Sequence, residues 1–149
     1  MTQTQAAPAG QAAPPPIPKP VPRYGKDNAP YWEHMREHQI HIQKCASCGK
    51  LRMYPRPMCD ACYSVDYEWV PASGKGKVYS WCVVHQPVHP GFKDEIPFPI
   101  VEVELDEGVR IRSTVVDIPP DQLVVGMPLE IVYDDVSESV TLPKFRRAS

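Results

Sequence analysis

Two cysteine pairs, Cys45-x2-Cys48 and Cys59-x2-Cys62, constrain this chain more than any other feature, and ten residues separate them. Each pair is spaced to wrap one side of a metal ion, its sulfurs steadied by backbone N–H groups, and two pairs close a tetrahedron. Gly49, directly after the first pair, permits the positive φ that such a knuckle requires. Disulfides are the competing arrangement, which a reducing compartment disfavours. Zinc is the expected ion, one per chain; iron is the alternative, because a tetrathiolate does not by itself choose between them. Four thiolates leave no position for water or substrate. The expected role is therefore structural, replacing a hydrophobic core in a segment too short to fold alone.

The rest of the chain is organised around that segment. Seven of the 19 prolines precede Lys26, and residues 1–26 are built largely of Ala, Gln, Pro and Thr. Such a composition cannot bury enough apolar surface to order itself and reads as a solvated tail; a ligand for an SH3-type domain is the competing reading. Residues 27–43 are expected to hold a short helix, capped by Asp27 or Asn28, with Pro30 in the first turn. Tyr31, Trp32, Met35 and His38 recur there at near-helical spacing. That face either packs on its own domain or docks on a partner, which makes Tyr31, Trp32 and Met35 candidate partner contacts. Residues 44–72 form the metal-binding segment.

From residue 73 to 149 the pattern changes to alternation. Residues 77–85, 99–106, 109–117, 129–133 and 140–145 read as strands. Val101, Val103 and Leu105 lie on one face and Glu102 and Glu104 on the other; Val109, Ile111 and Val115 repeat the device against Arg110, Arg112 and Thr114. Asp106-Glu107-Gly108 is a tight turn. Five short strands joined by turns predict a small Greek-key barrel of OB type, so the fold class is mainly β: a helix, a metal ribbon, then a five-stranded barrel. No apolar run approaches the roughly 20 residues of a membrane-spanning helix, and the start of the chain lacks the basic and apolar regions of a signal peptide. A cytoplasmic location without membrane contact is expected.

Three lesser features carry weaker chemistry. Cys82 lies in an apolar strand, three residues from His85, and is expected to be a small buried hydrophobe rather than an activated thiol. His85 and His89 are kept from helical alignment by Pro87 and Pro90, which argues against a second metal site. Ser73-Gly74-Lys75-Gly76-Lys77 is either a flexible basic connection or a backbone cradle for an anion.

Taken in order, these motifs resemble a known family. Tyr31-Trp32, the two cysteine pairs with Pro55-Arg56 between them, and Gly74-Lys75-Gly76-Lys77-Val78-Tyr79-Ser80 are followed by Val84-His85 and Pro90-Gly91-Phe92. Pro97-Phe98-Pro99, Val103-Glu104-Leu105-Asp106-Glu107-Gly108, Gly126-Met127-Pro128 and Leu142-Pro143-Lys144-Phe145 complete the series. The sequence from residue 28 to 146 looks like the domain-of-unknown-function 35 family, a rubredoxin-like zinc ribbon followed by an OB-fold. The resemblance implies an accessory subunit of thiolase-fold enzymes, including thiolases, acyltransferases and retro-aldolases, whose OB-fold helps bind the CoA moiety of an acyl-CoA. Fused members carry a hydratase-like domain. With ribbon and barrel alone in this sequence, the resemblance implies a separate thiolase-fold partner, expected as a heterotetramer with two copies of each chain.

Charge decides between this reading and its rival, a nucleic-acid-binding module. Residues 36–77 carry seven basic and four acidic side chains, whereas residues 94–138 carry twelve acidic ones against Arg110 and Arg112. An acidic barrel repels a phosphate backbone, so no nucleic-acid partner is expected. The same argument directs the phosphates of CoA to the basic strip with Arg52, Arg56, Lys75 and Lys77, or to the partner. No paired carboxylates, nucleophile–base pair or open metal site emerges that would make the chain an enzyme by itself.

Overall fold

A computed structural model describes residues 17–149. Its elements are α1 (Ala29–Arg36), a ribbon of three strands and a barrel of five. In the ribbon, β1 (His41–Cys45) is flanked antiparallel by β2 (Leu51–Arg52) and β3 (Tyr67–Pro71). The barrel strands are β4 (Lys75–Val84), β5 (Phe98–Leu105), β6 (Arg110–Ser113), β7 (Pro128–Ser137) and β8 (Val140–Arg147), in the order β6-β5-β4-β7-β8. Just past β6, Val115 bridges Phe145 of β8 in parallel, the Val116 N–H donating to the Phe145 carbonyl at 2.7 Å. That contact nearly closes the sheet, giving the five-stranded OB barrel the alternation predicted. Among the described residues no helix is long and apolar enough to cross a membrane.

Residues 1–16 of the expected tail lie outside the described residues. Residues 17–26 form neither helix nor strand, yet they touch the body of the protein. Lys19 pairs with Glu95 and lies 5.5 Å from the centre of the Phe92 ring, and Tyr24 stacks on Trp32 at 5.9 Å.

The helix differs from its prediction in two ways. Asn28 occupies the N-cap, but its side chain accepts from the Gly25 N–H at 2.6 Å instead of from a helix N–H. The helix stops at Arg36, and His38 leaves it in the left-handed region (φ 56°), stacking on Tyr133 and meeting the Asp135 carboxylate at 3.0 Å. More consequential is what the apolar face does. Tyr31 and Met35 are 4% and 0% exposed and belong to one core with Ile40, Ile42, Val78, Leu129 and Phe145. Of the three candidate partner contacts, these two are corrected to core residues, because α1 packs across β8 and β1 and joins ribbon to barrel. Burial also holds the Tyr31 phenol well above its ordinary titration range. Trp32 stays partly exposed and packs on the core's edge.

The connection at residues 73–77 is likewise not flexible. Gly74 and Gly76 are buried, and β4 begins at Lys75, with Gly76 paired to Leu105 on one side and Leu129 on the other. The carbonyls of Gly74 and Lys75 accept from Ile131 and Asp106, and the donors an anion would need are engaged as well, the Ser73 N–H on Glu107 Oε1 at 2.6 Å and the Lys75 N–H on Ser73 Oγ at 3.1 Å. Glycine is required at position 76 because a β-carbon there would overlap the Glu104 carbonyl on the neighbouring strand.

Cys82 is exposed, contrary to the expectation of a buried hydrophobe. A β-bulge explains this. Val78 pairs with Val103 but Ser80 with Glu102, so Tyr79 is an extra residue and the inward parity changes. Gly76 and Val78 face in before the bulge; afterwards Ser80 and Cys82 are exposed while Trp81 and Val83 are half-buried. Iodoacetamide should therefore label the folded, metal-loaded chain once, at Cys82, as read by intact mass. Cys82→Ala should change stability by no more than about 0.5 kcal/mol in denaturant melts. Gly76→Ala, in contrast, should destabilise by about 1–3 kcal/mol in the same melts, since two backbones must separate to admit a methyl group.

Candidate metal centre and the basic cavity beside it

Both cysteine knuckles are tight turns that present sulfur on one side and backbone donors on the same side. In the first, the Cys45 N–H donates to the Lys50 carbonyl and the Gly49 N–H to the Cys45 carbonyl, each at 2.9 Å, with Gly49 at φ 72°. In the second, the Cys59 N–H donates to the Ser64 carbonyl at 2.8 Å and Tyr63 takes the left-handed position (φ 60°) without glycine. The four Sγ atoms lie within 4.8 Å of one another, Cys45 and Cys62 at 3.5 Å and Cys48 and Cys59 at 3.7 Å. A tetrahedron with metal–sulfur bonds of about 2.3 Å has edges of about 3.8 Å, so the residues fit a four-thiolate metal site.

Electrostatics agree with the geometry. The N–H groups of Cys48 and Ser47 bring the Cys45 thiol down to about 6, and those of Ala61 and Cys62 lower Cys59. At Cys62 the Ser64 N–H pulls the same way, but hydrogen bonds with Cys45, Cys48 and Cys59 together outweigh it and raise the thiol. Backbone donors favour the thiolate at two corners, and the positive charge of a cation at the centre would favour it at all four. A bound metal supplies that charge, and with all four ligands from protein it organises structure. Lys50 and Asp60, one from each knuckle, pair at 2.6 Å across the site; the lysine is held above its ordinary range and the carboxyl below.

The basic strip expected from sequence is divided by the fold. Arg52 and Arg56 line a cavity of about 270 Å³ between ribbon and barrel, together with Lys50, Tyr54, Asp60 and Arg110. Lys75 and Lys77 do not line it; Lys77 pairs with Glu104 at 3.2 Å on the outer face of the barrel. Sequence reasoning missed Lys50, Tyr54 and Arg110 as cavity residues. Arg110 lies in the acidic half of the chain and reaches the cavity because the turn at Gly108 returns β6 beside the ribbon. Tyr54 marks the seam, its hydroxyl accepting from the Arg112 N–H at 2.7 Å. It also lines a second, mainly apolar cavity of about 380 Å³ whose walls include Tyr31, Trp32, Pro55, Ile111 and Leu142.

Fold and metal centre together define a zinc-ribbon/OB-fold protein. Residues 32–68 match the rubredoxin-like zinc ribbon domain of ChsH2, and residues 69–134 match the ChsH2 C-terminal OB-fold domain. A DUF35 domain-containing scaffold protein of Methanocaldococcus jannaschii is 36% identical over 110 residues, covering 72% of this chain and 77% of that one. The chain belongs to the DUF35 family. A probable enoyl-CoA hydratase alpha subunit of Thermomonospora curvata is 41% identical over 130 residues, 87% of this chain. The match spans only 40% of that relative's length. Among solved structures, a chain of the Ltp2-ChsH2(DUF35) aldolase superposes with a TM-score of 0.78 at 40% identity, covering 86% of this chain and 99% of that one.

Replacing one buried ligand should remove the site as a whole. Cys59→Ser is expected to lower bound metal from about one equivalent to near zero by elemental analysis. It should also unfold the ribbon in far-ultraviolet circular dichroism, because structural metal binding contributes roughly 10–16 kcal/mol to folding such segments.

Proposed function

We propose that this protein is a non-catalytic accessory subunit of an acyl-CoA enzyme complex, with one structural zinc per chain at Cys45, Cys48, Cys59 and Cys62. Its partner is a thiolase-fold subunit of thiolase or aldolase type, in a heterotetramer with two copies of each chain, and it contributes to binding the CoA moiety. The observation that carries this reading is the likeness to the Ltp2-ChsH2(DUF35) aldolase, which extends over 99% of that chain and includes both ribbon and barrel. The hydratase-subunit and scaffold names of the relatives point the same way. Surface suited to a partner supports it further: Met58, Tyr63 and Val65 around the second knuckle are 46%, 71% and 64% exposed. Contact with CoA and a partner is most simply met in the cytoplasm.

Alone, the purified chain should show no acyl-CoA cleavage or condensation. Co-expressed with a thiolase-fold chain from the same genome, it should co-purify, and light scattering should give the mass of two copies of each. Turnover by this chain after removal of every other protein would overturn the accessory role.

A further inference from the structure

Arg52 carries a buried charge without a partner. The residue is 5% exposed, and its Nε, Nη1 and Nη2 are each sealed from water and lack a hydrogen-bond partner among the described residues. Among those residues no carboxylate pairs with it. Its cross-strand neighbour Gln43 is 1% exposed and adds a fourth unpaired donor, Nε2, because its Oε1 accepts from the Arg56 N–H at 2.9 Å. A buried guanidinium is strongly unfavourable unless negative charge lies close by. Nothing dissolved reaches these nitrogens, so the compensating charge must belong to the protein's interior and act through space.

Strand register shows where this charge is directed. Alternate residues of β1 share a face, so Gln43 and Cys45 are neighbours on it, and both are buried. Residues directly opposite on paired strands share that face too. Arg52 of β2 stands opposite Gln43, while Tyr67 of β3 stands opposite Cys45 on the other side of β1. Yet the Arg52 Cζ lies 5.4 Å from the centre of the Tyr67 ring. To reach that ring the side chain must cross β1 diagonally, out of the Gln43 row and into the row of Cys45, whose sulfur is one corner of the four-thiolate set. Four thiolates around a divalent ion form a dianion. Other cations of this segment are engaged or screened: Lys50 pairs with Asp60 at 2.6 Å, Lys44 with Glu68 at 3.1 Å, and Arg56 is exposed to water.

We infer that Arg52 is the buried counter-charge of the metal–tetrathiolate centre, a positioning residue that favours a divalent ion over a trivalent one at the same four sulfurs. A divalent ion leaves a dianion and a trivalent ion a monoanion, so a fixed positive charge stabilises the first more, and burial strengthens the effect. Charge thereby selects zinc over iron(III) where tetrathiolate geometry does not choose. The inference rests on metal occupancy at Cys45, Cys48, Cys59 and Cys62 and not on the accessory role. The competing role for Arg52 is packing alone, with its stem filling the sheet face and its head lying on Tyr67.

The full chain loaded with iron reports the charge directly, because its iron(III)/iron(II) couple interconverts monoanion and dianion. In spectroelectrochemical titration at physiological salt, Arg52→Met should lower the potential by at least about 59 mV, a tenfold loss of preference for the divalent state. Arg52→Lys keeps the charge and should recover more than half of that shift. Lys44→Gln, exposed and paired with Glu68, should change the preference by less than about twofold, since water and salt screen it. Circular dichroism of each loaded variant shows that it is folded. Should Arg52→Met fail to fold, the unsubstituted chain carries the test: exchanging zinc(II) for gallium(III) alters the charge of the centre and should displace the Arg52 Nε–H magnetic-resonance signal, while that of exposed Arg146 stays in place. An unchanged potential in Arg52→Met, an equal shift in Lys44→Gln, a lysine variant no better than the methionine variant, or an Arg52 signal indifferent to gallium would overturn the inference and leave packing as the role. A folded chain that binds no metal would overturn the inference together with the metal site. Co-purification with a thiolase-fold chain tests the accessory role separately.

Discussion

Four sulfurs held within 4.8 Å are the constraint on which the rest of this structure depends. Uncompensated thiolates at that distance repel, so the geometry is stable only around a cation, and the cation in turn fixes both knuckles. From the knuckles follow the register of β1 with β2 and β3, Gln43 opposite Arg52 and Cys45 opposite Tyr67. That register turns Ile42 into the common core while Gln43 and Arg52 are buried on the other side of the sheet. A ribbon of this size has too little apolar surface to set such a pattern by itself.

The ribbon and the barrel are joined as one folding unit. Met35, Ile40 and Ile42 pack with Phe145, Leu129 and Val78, so the helix and ribbon complete the barrel's core. Hydrogen bonds follow the same route: the Ala72 N–H donates to the Ile40 carbonyl at 2.9 Å, and the Ile131 N–H to the Gly74 carbonyl at 2.8 Å. Loss of metal is thereby transmitted to the barrel through shared packing. The polar seam at Tyr54, Arg52 and Arg110 lies on this junction, where two modules leave a concave space that neither has alone.

Features with local causes were legible in the residues. Cys-x2-Cys spacing names the metal ligands because a knuckle is built from four or five consecutive residues, and Gly108 marks its turn because that φ, 79°, suits no other residue as well. Alternation through Val101, Val103 and Leu105 identifies a half-buried strand for the same reason, since side-chain direction is set by the pleat. Cys82 was misplaced where that local rule is interrupted: the bulge at Tyr79 is stabilised by pairing with β5, and nothing in residues 77–85 announces it. Tyr31 and Met35 illustrate another limit. Helical spacing defines an apolar face but not what covers it, and here β1 and β8 do.

By itself, then, the sequence determined the metal-binding set, the order of helix, ribbon and barrel, and the face that most strands bury, because each follows from spacing within a few residues. Tertiary structure alone decided which charges act together. Arg52, Arg56 and Lys50 come from the ribbon and Arg110 from the otherwise acidic barrel, while Lys77 shares the Glu104 carboxylate with Arg110 yet lies outside the cavity, as does Lys75. The physical reason is that charge meets charge through space, and only the docking of ribbon on barrel around a common core sets those distances.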